Sequence, residues 1–343
     1  MLDMSFGGIQ QAFLNYSIEL ANRGFKVHCI VRKGSVVEKQ LAENAVASVQ
    51  SVSNHFGFYD NLAIRSLTKG LSKFFCDSNK CYILTFDARS TLFAGKAALR
   101  FSKWKVVASL PNSVNHKYYQ YADLLIPSTH AMASAEYHKN LLNPNFSEVI
   151  PLFSRIPPAL NAKTATKVVK LFTAGRFVRK KGFDYLIESV SQLVTAYPEI
   201  HLRIAGDGPE RNRLNNQCRN LNLSSKVEFL GYRTDTPDLI ADSDLLIVPS
   251  TNEPFGIILL EGMAVGTPIV TTRSQGALEL LDSDSAKFAD IASSESLTQA
   301  ICDVIDDLQS TNERSATALS YFKQRYTPDA VISKFLSVLE GMN

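Results

Sequence analysis

Apolar residues in the second half of the chain fall in short blocks, and the stretches between the blocks carry apolar positions three and four apart. The blocks, at 168–174, 201–205, 227–230, 244–248 and 268–272, are rich in Val, Ile and Leu. The intervening segment 183–196 has the spacing of an amphipathic helix. Strands that alternate with helices need crossover connections, which build a parallel sheet. The pattern therefore predicts a doubly wound α/β domain, which binds ligands beyond the carboxyl ends of its strands.

The first half repeats the plan. Strands read at 27–31, 47–52, 81–86, 105–110, 123–127 and 148–152, and helices at 8–23, 58–75, 91–101 and 131–141. Pro157-Pro158 and the polar stretch 161–166 read as a hinge. The predicted organisation is two Rossmann-like domains, 1–160 and 161–325, with a last helix in 326–343 packing back on the first. One element is missing from this plan. The helix at Gly8 begins almost at Met1, so no strand precedes it. Loss of that interior strand leaves unpaired backbone on two neighbours, and a truncated start is the expectation.

Composition narrows the class. With 45% hydrophobic and 20% charged residues, the 343-residue chain is an ordinary globular sequence. It has no apolar run near the ~18 residues of a membrane span. Met1 to Ser5 lack the marks of a signal peptide, so a cytoplasmic location is expected. Five cysteines without a Cys-x-x-Cys pair, and histidines without ligand spacing, give no reason to expect a metal or a nucleic-acid module. Charge is uneven: residues 1–160 hold 17 Lys/Arg against 10 Asp/Glu, and the remainder holds an acidic excess. Lys96, Arg100, Lys103 and Lys105 lie around Phe101 and Trp104, a combination suited to peripheral contact with the anionic inner face of a membrane.

The chemistry concentrates at two places. The run from Asn252 to Pro268 follows a strand, with Pro254 suited to a helix start and Gly266 to its end. A helix over 255–265 would present the free N–H groups of Phe255, Gly256, Ile257 and Ile258, an anion site. Glu253 stands ahead of it and Glu261 two turns in, both able to accept hydrogen bonds from sugar hydroxyls. Taken alone, such a pair also reads as a cap and an exposed helix acid. The second place is the strand-to-helix loop of Gly175, Arg176 and Lys181, whose cations can neutralise a diphosphate. A solvated basic turn has the same composition. Gly206-Asp207-Gly208 and Gly231-Tyr232 end two further strands, and the Tyr232 ring suits a nucleobase. Gly7-Gly8 begins the first helix.

In this order the segments resemble the retaining glycosyltransferases of family 4, group 1, with the GT-B fold. The Glu253–Glu261 spacing with Pro-Phe-Gly after the first acid, and Gly175-Arg176 ahead of Lys181-Gly182, carry the resemblance. It implies two doubly wound domains with an interdomain cleft. It implies a nucleotide-diphosphate sugar as donor and a glycan or lipid-linked acceptor, as in lipopolysaccharide synthesis, with no metal or other cofactor. Arg176 and Lys181 would bind the diphosphate, Glu253 the donor sugar and Glu261 the ribose. The backbone at 256–258 would reach phosphate and sugar, with Gly7 and Gly8 closing from the other domain. Where many members have a His after the central strand of the first domain, this chain has Phe86, followed by Asp87 as a substitute. A second His position reads Leu110-Pro111-Asn112, with His116 nearby.

Other classes fit less well. A metal-dependent transferase would use Asp242-Ser243-Asp244 or Asp282-Ser283-Asp284, but the first pair precedes its strand. A nicotinamide dehydrogenase would need a third glycine after Gly206-Asp207-Gly208. A sugar-nucleotide-binding protein without catalysis is the alternative that the missing strand motivates.

Overall fold

The computed structural model describes residues 7–44, 48–52, 64, 68–69, 81–99, 101, 104–110, 118–134 and 148–342. Contacts divide the chain into two compact units, Met1–Phe153 with Pro328–Asn343, and Ser154–Thr327.

The first unit opens with α1 (Gly8–Asn22), then β1 (His28–Arg32), α2 (Val36–Glu43) and β2 (Ser48–Val52). After these come β3 (Cys81–Thr85), α3 (Ala88–Ala98), β4 (Trp104–Leu110), β5 (Leu124–Pro127) and the single turn α4 (His130–Ala133). All the pairings are parallel, but they form two sheets among the described residues, β1-β2 and β3-β4-β5. Ile30 of β1 packs against the cluster of Cys81, Phe93, Ala97 and Trp104, so the two sheets share apolar contacts without sharing backbone bonds.

Local chemistry accounts for the differences from the sequence reading in this unit. Helix α3 starts three residues before the expected 91, because Asp87 caps it by accepting from Ser90 N at 2.8 Å. The Ser35 hydroxyl likewise caps α2, which the periodicity does not reveal. The expected strand at 148–152 does not form. Ile150 N donates to Pro127 O at 3.0 Å, and the segment makes no strand ladder among the described residues. The helix expected at 58–75 lies almost wholly outside the described residues, as does most of 131–141.

The second unit is a single six-stranded sheet. Its strands are β6 (Lys170–Ala174), β7 (His201–Ala205), β8 (Val227–Gly231), β9 (Leu245–Val248), β10 (Ile269–Thr272) and β11 (Lys287–Ala289). They run parallel in the order β11-β10-β9-β6-β7-β8. Helices α5 (Phe183–Ala196), α6 (Arg211–Asn220), α7 (Thr236–Asp242), α8 (Ile257–Val265), α9 (Gln275–Leu280), α10 (Ser294–Asp306) and α11 (Leu308–Arg325) complete it. Every residue of β9 and β10 is buried. A parallel sheet covered on both faces produces such unbroken apolar runs, which is why these strands are visible in the sequence. Leu171, Leu202, Ile247 and Val270 pack with Leu186, Ile187 and Val190 of α5 and Ile301 of α10.

The chain returns to the first unit as α12 (Pro328–Glu340). The Phe335 ring lies 5.2 Å from that of Tyr16 on α1, and the Tyr82 hydroxyl donates to Leu339 O at 3.0 Å.

Candidate active site

Strand order reverses between β6 and β9, neighbours in space but three strands apart in sequence. At such a point the loops after the two strands lie side by side, leaving a crevice at the carboxyl edge. Here the facing loops are 175–182 and 249–256. Gly182, at φ +65°, makes their contact possible, since a Cβ there would lie 2.0 Å from Pro249 O. Thr251 N and Asn252 N both donate to Lys180 O, at 2.9 and 3.3 Å. The backbone thus fixes the relative position of the two loops before any side chain is counted.

On this frame Lys181 Nζ donates to Glu253 Oε2 at 2.5 Å. Ser250 Oγ approaches the same oxygen at 3.4 Å. Glu253 is 8% exposed, so the ion pair is largely out of water. Its other oxygen, Oε1, has no hydrogen-bond partner among the described residues. A carboxylate held by one oxygen with the other unfilled is an acceptor ready for a hydroxyl donor. Arg176, at the lip of the same loop, is exposed and makes no ion pair among the described residues. Arg176 is an available cation of this loop, and Lys181 is engaged.

Helix α8 begins at Ile257, two residues later than the sequence suggests. Gly256 holds the N-cap with φ +97°, a left-handed conformation that lets the chain turn sharply into the helix. No side chain caps this end. The N–H groups of Phe255, Gly256, Ile257 and Ile258 carry no hydrogen bond among the described residues. Gly276 N donates to Glu253 O at 2.7 Å, anchoring the loop from behind. Glu261, one turn into α8, is partly buried and has no hydrogen-bond partner among the described residues. Desolvation pushes its carboxyl up to about 7.

Two further loops continue the row. Phe177 N donates to Asp207 O at 2.9 Å, and Gly206 N to Gly231 O at 2.7 Å. The loops after β9, β6, β7 and β8 are therefore stitched together along one edge. Gly175 N is used within the row, donating to Ala205 O, and Gly208 N donates to Asp207 Oδ1. Tyr232 stands exposed at the far end, beyond β8.

The remaining expected residues sit elsewhere. Asp87 is engaged as a helix cap, with Oδ1 on Ser90 N and Oδ2 on Ser90 Oγ. It is not a free base. Phe86 is core, 2% exposed, with its ring edge-on to Phe13 at 5.8 Å. Gly7 is the N-cap of α1, its carbonyl accepting from Gln11 N, and it belongs with Gly8 to the other unit. His116 lies outside the described residues. In the basic–aromatic patch Trp104 is 6% exposed and stacked on Phe101 at 4.2 Å, so its ring belongs to the core rather than the surface. Arg100 and Lys103 are outside the described residues. Lys105 pairs with Asp123, and Leu99 at 72% exposure is the apolar residue this region presents. Ser250, which the sequence reading missed, joins the site only through the fold. No described helix is long and apolar enough to cross a membrane.

Comparison with known proteins places this edge in context. Residues 160–319 match the family Glycosyl transferases group 1. The chain is 26% identical over 342 residues to the lipopolysaccharide core biosynthesis glycosyltransferase LpsD of Rhizobium meliloti, covering 97% of this chain and 95% of that one. It is 32% identical over 170 residues to LpsE of the same organism, a match spanning about half of either chain. Among solved structures, Anabaena HepE in complex with UDP and glucose superposes with a TM-score of 0.84 at 20% identity, over 99% of this chain and 98% of that one. Residues 160–319 carry the match to glycosyl transferases group 1, and the chain has the GT-B fold.

Proposed function

We propose that the protein is a retaining transferase that moves a sugar from a nucleoside-diphosphate sugar to a glycan or lipid-linked acceptor of the cell envelope. One observation carries the reading: Lys181, Glu253, Arg176 and the unbonded amides of 255–258 belong to two adjoining loops at a strand-order reversal. The diphosphate lies against the amides and the two cations. The donor sugar donates hydroxyls to Glu253 Oε1, and the ribose to Glu261. The base extends along the loop row towards Tyr232, about 10 Å from the end of β6 at two strand spacings. The names of LpsD and LpsE support a lipopolysaccharide-type acceptor, and the HepE complex supports a uridine nucleotide.

In the reaction the bond between the anomeric carbon and the diphosphate oxygen breaks, and negative charge grows on that oxygen. Preorganised cations and helix amides stabilise the charge as it forms. The acceptor hydroxyl attacks the face that the leaving group vacates, its proton passing to the departing phosphate oxygen. No protein base is required, which agrees with the engagement of Asp87 as a cap. A peripheral membrane contact, if the acceptor is lipid-linked, would use Leu99 and its neighbouring cations rather than Trp104.

The test is a donor panel of UDP-, GDP- and ADP-sugars with a rough-type lipopolysaccharide core as acceptor. We expect nucleoside diphosphate release from one donor and a product of unchanged anomeric configuration. Binding of no nucleotide, or an inverted product, overturns the proposal.

A further inference from the structure

The geometry points to Glu253 as the residue that makes this site prefer a sugar-bearing nucleotide over the bare nucleoside diphosphate, by holding Lys181 against it. The inference rests on the donor-site reading above and adds a discrimination to it.

Lys181 and Glu253 form a close pair, with side chains only 20% and 11% exposed. A bare diphosphate entering here therefore meets a cation whose charge is already compensated, and a carboxylate that repels it at short range. In a poorly hydrated crevice that repulsion is only weakly screened. Arg176, exposed and without an ion pair among the described residues, remains to attract the phosphates. A nucleotide that carries its sugar suffers the same repulsion but brings hydroxyl donors. The unfilled Oε1 accepts from them, and these charge-assisted bonds offset the penalty.

The same asymmetry acts after transfer. Once the sugar has left with the acceptor, its hydroxyls no longer satisfy Oε1, while the carboxylate still opposes the diphosphate left behind. Glu253 thereby favours release of the nucleotide product. Removal of its charge inverts this logic, since Lys181 becomes an uncompensated, partly buried cation that an anion relieves.

The experiment is calorimetric titration of wild type, Glu253→Gln, Glu253→Ala and the double variant Lys181→Met with Glu253→Gln. The probes are UDP, GDP and ADP, each alone and as its glucose conjugate, at pH 8. For the nucleotide that wild type binds, we expect the glucose conjugate to bind more tightly than the bare diphosphate. In Glu253→Gln the bare diphosphate should bind roughly tenfold more tightly than to wild type, and the conjugate no more tightly, so that the preference is lost. Glu253→Ala, which removes the charge without supplying an amide, should show the same gain if Glu253→Gln is poorly folded. The double variant should lose the gain. Unchanged or weaker binding of the bare diphosphate in both single variants overturns this inference while leaving the donor site intact. Failure of wild type to bind any of the three nucleotides overturns the donor-site reading and this inference with it.

Discussion

The loop after β3 and the loop after β9 do the same job, each joining a parallel strand to a helix and each carrying an acid ahead of that helix. Their acids have opposite fates. Asp87 spends both oxygens on Ser90, three residues away, and so completes its own helix. Glu253 leaves α8 uncapped, turns to Lys181 across 72 positions of sequence and keeps one oxygen unfilled. A capped helix is locally content and offers nothing to a ligand. An uncapped one, with its acid held in place by a distant cation, leaves both amides and a carboxylate oxygen for something else to satisfy. The contrast separates an acid engaged within its own helix from one that keeps an oxygen unfilled.

The strongest way to break the comparison is to remove the distant cation. Lys181→Ala takes away the hold on Glu253 and, in the proposed donor site, one of the two cations assigned to the leaving phosphate. Transfer should fall by about 10² to 10³, the usual loss for one preorganised stabiliser, as read from initial rates of nucleotide release. A loss of less than fivefold would show that Lys181 has no part in the site.

Glu261 gives a smaller and pH-dependent effect. Its carboxyl, raised by burial to about 7 from an ordinary 4.5, is partly protonated at neutral pH. In the proposed site the ionised form is the one that accepts from the ribose hydroxyls, so donor affinity should rise as pH goes from 6 to 8, by about tenfold at most. Stability has the opposite sign. Between pH 4.5 and about 7 the folded state keeps a proton that the unfolded chain has lost, so stability falls through this window and levels above it. Glu261→Gln should flatten the affinity profile and gain about 1–2 kcal/mol over wild type at pH 8, with little difference near pH 4.5. A profile unchanged by the substitution would assign the titration to another group.

Much of this was legible in the sequence, and the gaps have physical causes. Strand β9 in the second unit is covered on both faces, so burial writes it as a continuous apolar run. The helix 183–196 carries a clear apolar stripe and forms at Phe183–Ala196. Strand β11, three residues long with only one of them fully buried, leaves too short a trace to be read. The start of α8 was misplaced because Gly256 takes a left-handed conformation that proline and periodicity do not announce. The candidate residues were identifiable one by one, but their alliance was not. That Lys181 would reach Glu253, with Ser250 beside it, depends on β6 lying next to β9, and strand order is a property of the fold. In the first unit, the expectation for 148–152 failed because Ile150 makes a single backbone bond to the end of β5 and the segment does not continue it into a ladder.

Asp87 supplies the other arm of the comparison. If its role is to finish α3, Asp87→Ala should cost about 1 kcal/mol of stability, typical for a lost N-cap, and leave the transfer rate within about threefold. Thermal denaturation and rate, measured on one preparation, distinguish this from a catalytic role. A rate loss above tenfold in a variant that melts normally would restore Asp87 to the chemistry.

The smallest expected effect is that of chelation. Of the two Asp-x-Asp pairs, the one beside the central strand lies at the wrong edge of the sheet. Asp244 Oδ2 accepts from Val169 N and Lys170 N, at 3.0 and 2.9 Å, just ahead of β6 and β9 rather than beyond their carboxyl ends. Asp242 is engaged by Lys170 and Arg203. Asp282 accepts from Ser285 and Tyr321 at 2.8 Å each. These acids tie elements together and have their own partners, while the carboxyl edge already presents Arg176, Lys181 and four amides to an anion. Charge on the leaving phosphate therefore has protein groups to meet it, and EDTA should change the transfer rate by less than about twofold. A rate abolished by EDTA and restored by Mn²⁺ or Mg²⁺ would mean that the metal, rather than the lysine held by Glu253, carries the leaving group.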